Sequence, residues 1–324
     1  RKFDEKGLIF NHIFEGTLFV SSTVSKKSIW GWFFYDWAAQ PYNTLLITFI
    51  FGPYFASAVA PDAVQGQIMW GSMMSITGLC LAITAPLLGA IADTTGPRKP
   101  WIFAFSVFYF FGACYLWWAV PGAQNVTMIL IAFGIGMAGM ELSQIFVNAI
   151  LPTLGTRKEL GRISGSGWAF GYFGGVLSLV VMLTLFAENE SGKTLIGISP
   201  ILGLDPEARE GTRSVGPFTA FWFLIFMIPF FWWVPDVGKK KTSLAAVGAG
   251  LSGLFTTIKN LPKNSSLLAY LMSSMFYRDA LNGIYVFGGL YAAGVLGWGV
   301  VQTGIFGIIA SSFYYSVQTF GLFG

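Results

Sequence analysis

Eight apolar runs, each long enough for a helix to cross a hydrocarbon layer, leave this chain few ways to fold. Crossing a layer of roughly 30 Å takes about 20 mostly apolar helical residues. By that ruler the runs fall at residues 30–58, 68–92, 101–120, 127–150, 163–186, 217–234, 267–293 and 299–320. Of the 324 residues 54% are hydrophobic and only 10% charged, whereas a soluble domain carries about a quarter charged residues. The chain therefore lacks the polar surface to face water. The expected fold class is an all-α polytopic membrane protein, with Phe and Gly abundant as in helices packed closely in lipid.

The cations sit in short clusters between these runs. Lys26 and Lys27 precede the first, Arg98 and Lys99 follow the second, and Arg157, Lys158 and Arg162 follow the fourth. Lys239, Lys240 and Lys241 follow the sixth. The intervening loops at 61–67 and 121–126 carry no cation, and the loop at 188–216 mixes Lys193, Arg209 and Arg213 with five acids. Positive charge is retained on the cytoplasmic side, so the amino terminus is expected there, in a multi-pass protein of a bacterial inner membrane. The same clustering argues against a nucleic-acid partner; the partners expected are the bilayer and a small solute. Cys80 and Cys114 both fall inside apolar runs and His12 is the single histidine, so no disulfide framework, metal site or cofactor is expected.

Four segments follow from this spacing. Residues 1–28 form a cytoplasmic lead-in, 29–235 a six-helix bundle, 236–266 a central cytoplasmic linker, and 267–324 two further helices. The chain starts at Arg1 and stops at Gly324 inside an apolar run, which reads as truncation. In the linker, Leu251, Leu254, Phe255, Ile258 and Leu261 recur at helical spacing. Two readings stand: an amphipathic helix on the membrane face, with Lys259 and Lys263 near headgroups, or a flexible connection.

Between the second and third runs lies a turn with Gly89, Asp93, Gly96, Pro97, Arg98 and Lys99. One acid stands where the helix ends, Gly96 and Pro97 break the helix, and two cations follow. Ionisable groups within a span are costly and each needs a reason. They are Asp36 in the first run, Glu141 in the fourth, and Arg278 with Asp279 in the seventh. Asp36, Gln40, Asn43 and Thr44 follow helical spacing beside Pro41, which opens the backbone ladder and exposes carbonyls to a cavity or ion. This is either a solute-facing stripe or a hydrogen-bonded closure of the bundle. Glu141, Gln144 and Asn148 share a second face, where Glu141 either carries a proton or pairs permanently. Arg278 is placed to meet an acid on another helix, with Asp36 and Glu141 the candidates, and either holds a solute carboxylate or makes a structural ion pair. No nucleophile elbow with its histidine and no complete phosphate loop competes with these groups, so no enzyme is expected.

The turn resembles the signature loop of the major facilitator superfamily at Gly89, Asp93, Gly96, Arg98 and Lys99. It departs from that pattern at Thr94 and at Pro97. A narrower resemblance, to the branch of fungal vacuolar amino-acid effluxers of autophagy and their bacterial relatives, rests on several motifs. These are Tyr35-Asp36-Trp37-Ala38 with Gln40-Pro41-Tyr42, the run from Gly96 to Trp101, Asn148 to Pro152, Gly161 to Gly175, and Pro235-Asp236. The resemblance implies two six-helix bundles working by alternating access, of which this chain holds the first and two helices of the second, about eight of an expected twelve. It implies that Asp93, Arg98 and Lys99 latch the bundles together on the cytoplasmic side. The function it implies is secondary transport of a small solute, such as an amino acid or related metabolite, with a proton on Asp36 or Glu141 as a candidate coupling ion. A membrane-embedded receptor or scaffold is the alternative.

Overall fold

The computed structural model describes residues 25–236, 238 and 244–309. The lead-in expected before residue 25, Lys239 to Lys241, and the end of the eighth run lie outside the described residues. So do the side chains of residues 90–95, Asp93 among them, and those of Leu251 and Leu254.

Among the described residues, six helices are long and apolar enough to cross a membrane. They are α1 (Lys26–Val59), α2 (Ala63–Thr95), α3 (Lys99–Trp118), α4 (Val126–Thr153), α5 (Leu160–Phe186) and α6 (Glu210–Trp233). The helix α7 (Leu244–Asn260) lies in the linker and packs against α2, so this part of the connection is helical. The seventh run forms one helix, α8 (Ser265–Gly294), which is not among the six, and the eighth is described as α9 over Val300–Ile309.

The least apolar of the six spans is also the most enclosed. In its most hydropathic window 83% of α1 is buried, against 6% for α2, which puts α1 at the centre of the bundle and α2 on its flank. Lipid offers no hydrogen bonds, so a span rich in polar and aromatic side chains is stable only where other helices meet them. Here they do so in sequence. Trp32 Nε1 donates to the Val147 carbonyl at 3.0 Å, Tyr35 OH to Met140 at 3.1 Å, and Tyr42 OH to Phe133 at 2.6 Å. Those three carbonyls recur every two turns along α4, and a fourth donor, Tyr54 OH, reaches Ala119 at 2.7 Å. The antiparallel α1 and α4 are thus stitched from Trp32 to Tyr42 of α1, and Tyr54 ties the far end of α1 to the chain just after α3.

α1 is not a regular helix. It is α-helical over Lys26–Pro41, π-helical over Tyr42–Phe49 and again over Phe55–Val59, with a bend at Ile50 (φ −119°). Pro41 has no N–H to give the Trp37 carbonyl one turn earlier. That carbonyl accepts instead from Trp222 Nε1 of α6 at 3.2 Å. The expectation that Pro41 opens carbonyls to a cavity or ion is therefore corrected at Trp37: a neighbouring indole takes the freed acceptor.

At the end of the bundle away from the turn, a buried ionic cluster ties α3, α5 and α6. Glu188, fully buried, accepts from Thr212 Oγ1 at 2.7 Å and Thr212 N at 3.1 Å, and pairs with Arg209 Nε at 3.2 Å. Arg213 lies over the Trp117 ring and donates to its carbonyl through Nε at 2.9 Å and Nη2 at 2.6 Å.

Burial pushes the Glu188 carboxyl above its ordinary 4.5, with the Thr212 and Arg209 contacts opposing. The folded chain therefore holds that proton more tightly than the unfolded chain. This contribution favours the fold at low pH and is lost as pH rises from 4.5 through the raised folded value. We expect the melting temperature of purified protein to fall more steeply from about pH 5 to about pH 8 than that of Glu188→Gln. Parallel pH profiles for the two proteins would contradict this burial.

Candidate functional site

Asp36 and Gln144 meet where α1, α4 and α5 converge. Asp36 is buried, and its Oδ1 accepts from Gln144 Nε2 at 3.4 Å. The same amide reaches Asn148 Oδ1 at 3.1 Å, and Asn148 is exposed. A polar path thus runs from the buried carboxylate through one carboxamide to the surface at the turn end of α4. The other carboxylate oxygen, Oδ2, is buried and has no donor among the described residues. A carboxylate with one long hydrogen bond and one bare oxygen is costly in a low-dielectric interior. Glu141 is half-buried and follows directly on Met140, whose carbonyl Tyr35 bonds.

The α5 glycines bring that helix against the same stripe of α1. A methyl group at Gly171 would stand 2.8 Å from Asp36 Cβ, and one at Gly175 would stand 2.6 Å from Thr44 Oγ1 and 2.8 Å from Gln40 Cγ. Asp36, Gln40 and Thr44 therefore face the glycine surface of α5. The π-helical stretch beginning at Tyr42 alters the spacing beyond Pro41, and the Asn43 carbonyl accepts from Thr48 Oγ1 at 2.9 Å, leaving the Asn43 side chain half-buried.

Arg278 and Asp279 are not brought to this seam. Both are exposed on α8, whose buried residues, Gly289, Leu290 and Ala292, lie at its other end. The proposed partnership of Arg278 with Asp36 or Glu141 is absent among the described residues. Spacing on a single helix says nothing about which way that helix faces. A cavity of about 500 Å³ between α2 and α4, lined by Met73, Thr77, Cys80, Leu130 and Gly134 among others, contains none of the candidate residues.

At the turn, Gly96 adopts φ +90°, a left-handed conformation that favours glycine. Gly89 lies on α2, where a methyl group would meet nothing within 4 Å. Arg98 reaches the Ala149 carbonyl at the end of α4, and Lys99 Nζ donates to the Phe231 carbonyl near the end of α6 at 2.8 Å. Cations at carbonyl-rich helix ends are favourable both as donors and as charges. Both side chains thus hold helix ends of the same bundle. The sequence pattern missed the ring donors Trp32, Tyr35, Tyr42 and Trp222, because aromatic residues in an apolar run look like packing alone.

Six apolar helices, the first of them the least apolar and buried among the others, with a cation-bearing turn at one end, define a polytopic membrane protein of the major-facilitator type. Residues 24–323 match the family described as vacuole effluxer Atg22 like, and the chain belongs to that family. A Bacillus subtilis (strain 168) protein named as an uncharacterized MFS-type transporter, YxiO, is 23% identical over 256 residues, 78% of this chain. The chain spans 57% of that relative's length.

The α5 surface yields a direct test of the seam. Gly171→Val should push α5 off α1 and lower the stability of the purified protein by about 1–3 kcal/mol. Gly161→Ala, where an added methyl meets nothing within 4 Å, should change it little. Equal effects, compared by thermal unfolding in detergent, would mean that α5 does not rest on Asp36.

Proposed function

We propose that the complete protein is a secondary transporter that moves a small solute by alternating access, with the α1–α4 seam on the solute or proton path. The observation that carries this reading is Asp36, buried with one oxygen lacking a donor and linked through Gln144 to exposed Asn148. A group so placed changes its partners when helices shift, which a coupling site must do. The solute in this reading is an amino acid or related metabolite, as the resemblance of the sequence motifs to the vacuolar amino-acid effluxers implies. The coupling ion is a proton, carried by Asp36 or by Glu141. The cation distribution supports a cytoplasmic turn and amino terminus, and the membrane of this reading is a bacterial inner membrane. Asp93 is the latch that closes the cytoplasmic side, with Arg98 and Lys99 holding its turn to the ends of α4 and α6. A charge-assisted contact is strong when two faces meet and dispersed into water when they part.

Counterflow in proteoliposomes holding the full-length protein, with a panel of labelled amino acids, tests the carrier reading. Exchange supports it, whereas saturable binding without exchange would make the protein a receptor. Given a solute that exchanges, Asp36→Asn should abolish its accumulation under an imposed pH gradient while sparing exchange within about tenfold. Accumulation undiminished in both Asp36→Asn and Glu141→Gln would remove the proton from the account. Asp93→Asn should insert and fold yet lose most of its flux; normal flux would count against the latch.

A further inference from the structure

We propose that Asp236 is a positioning residue for the turn, and that through it the central linker clasps the turn instead of hanging free. Its consequence for transport rests on the reading above, but its geometry does not. The Asp236 carboxylate accepts from the backbone N–H of Arg98 at 2.8 Å and of Lys99 at 3.2 Å. These amides open α3, where the first four N–H groups of a helix have no partner within it and the helix dipole favours an anion. Arg98, at the cap position, supplies no side-chain cap of its own. Asp236, from 138 residues further along, does so instead.

The tie runs in both directions. Lys99 Nζ returns to the Phe231 carbonyl near the end of α6, so the end of α6 holds the start of α3 and is held by it. Arg98 adds the end of α4. Beyond Asp236 the linker helix α7 packs against α2, the helix that enters the turn from its other limb. The chain leaving α6 therefore grips α3 first and α2 second. α8 joins α7 across only residues 261–264, a 3-10 turn and one further residue. Movement of α8 is passed to both limbs of the turn, which couples the second half of the protein to the latch through the backbone as well as across the interface.

Hydrogen–deuterium exchange on the full-length protein reads the tie without any solute. Asp236→Ala should speed exchange of the Arg98 and Lys99 amides by about tenfold, the scale of a lost helix cap, and leave the interior of α3 unchanged. Asp236→Asn keeps one acceptor oxygen and should fall between the two. Unchanged exchange at Arg98 and Lys99 would overturn the proposal, and so would acceleration along the whole of α3, which marks general unfolding. For the coupling, Asn148→Cys in inside-out vesicles should react with an impermeant maleimide at a rate that Asp236→Ala shifts at least about threefold and Asp236→Asn partly restores. If the amides loosen but this rate does not move, the linker does not drive the turn. Failure of every solute to exchange would sink the transport reading and leave the exchange result standing.

Discussion

Hydrocarbon gives a polar side chain nothing to bond to, and α1 carries more of them than a lipid-facing helix can bear. That single cost places α1 inside the bundle. Trp32, Tyr35 and Tyr42 then find their acceptors on α4, at carbonyls spaced two turns apart, and Trp222 meets the carbonyl that Pro41 leaves free. Each bond is worth little alone, on the order of 0.6 kcal/mol on average between membrane helices. Their larger effect is selective, because an α1 rotated towards lipid would leave every one of these groups unmet.

The glycine positions follow from that placement. A crowded aromatic helix such as α1 lets a neighbour's backbone approach only where that neighbour lacks a side chain, and α5 presents Gly171, Gly174 and Gly175 there while Phe170 packs beside them against Trp37. α3 and α4 approach in the same way, since a methyl at Gly112 would come within 2.7 Å of the Gly136 backbone. Charge is then sorted by depth. The paired and capped charges sit at the two ends, around Glu188 and around Asp236. The incompletely met carboxylate, Asp36, sits between them in the seam. Strong ties at the ends and a weak one between suit a bundle that moves as a unit and responds at its centre.

Much of this is written in the sequence, though unevenly. The six spans and the turn are legible because hydropathy and glycine chemistry are local properties. The pairing of Asp36 with Gln144 is half legible: each lies on a recognisable polar face, but only the fold shows that the two faces meet. Arg278 is not settled by its spacing, because a costly charge in an apolar run suggests a buried partner while α8 leaves it exposed among the described residues. Asp236 is hidden for the opposite reason. An acid after the Pro that ends a helix looks like solvent-facing linker, and its partners are backbone amides that carry no sequence signal. The effect of Pro41 is foreseeable in kind, since a carbonyl must be freed, but not in its acceptance by an indole 185 residues away.

The account depends on α1 and α4 meeting through Asp36 and Gln144 within the bundle. A double-mutant cycle on the full-length protein, comparing Asp36→Asn, Gln144→Leu and the double variant by reversible unfolding, measures that meeting directly. It should return a coupling energy of about 0.5–1.7 kcal/mol. Losses that add within about 0.3 kcal/mol would show that the two side chains do not touch, and the seam built on them would not exist.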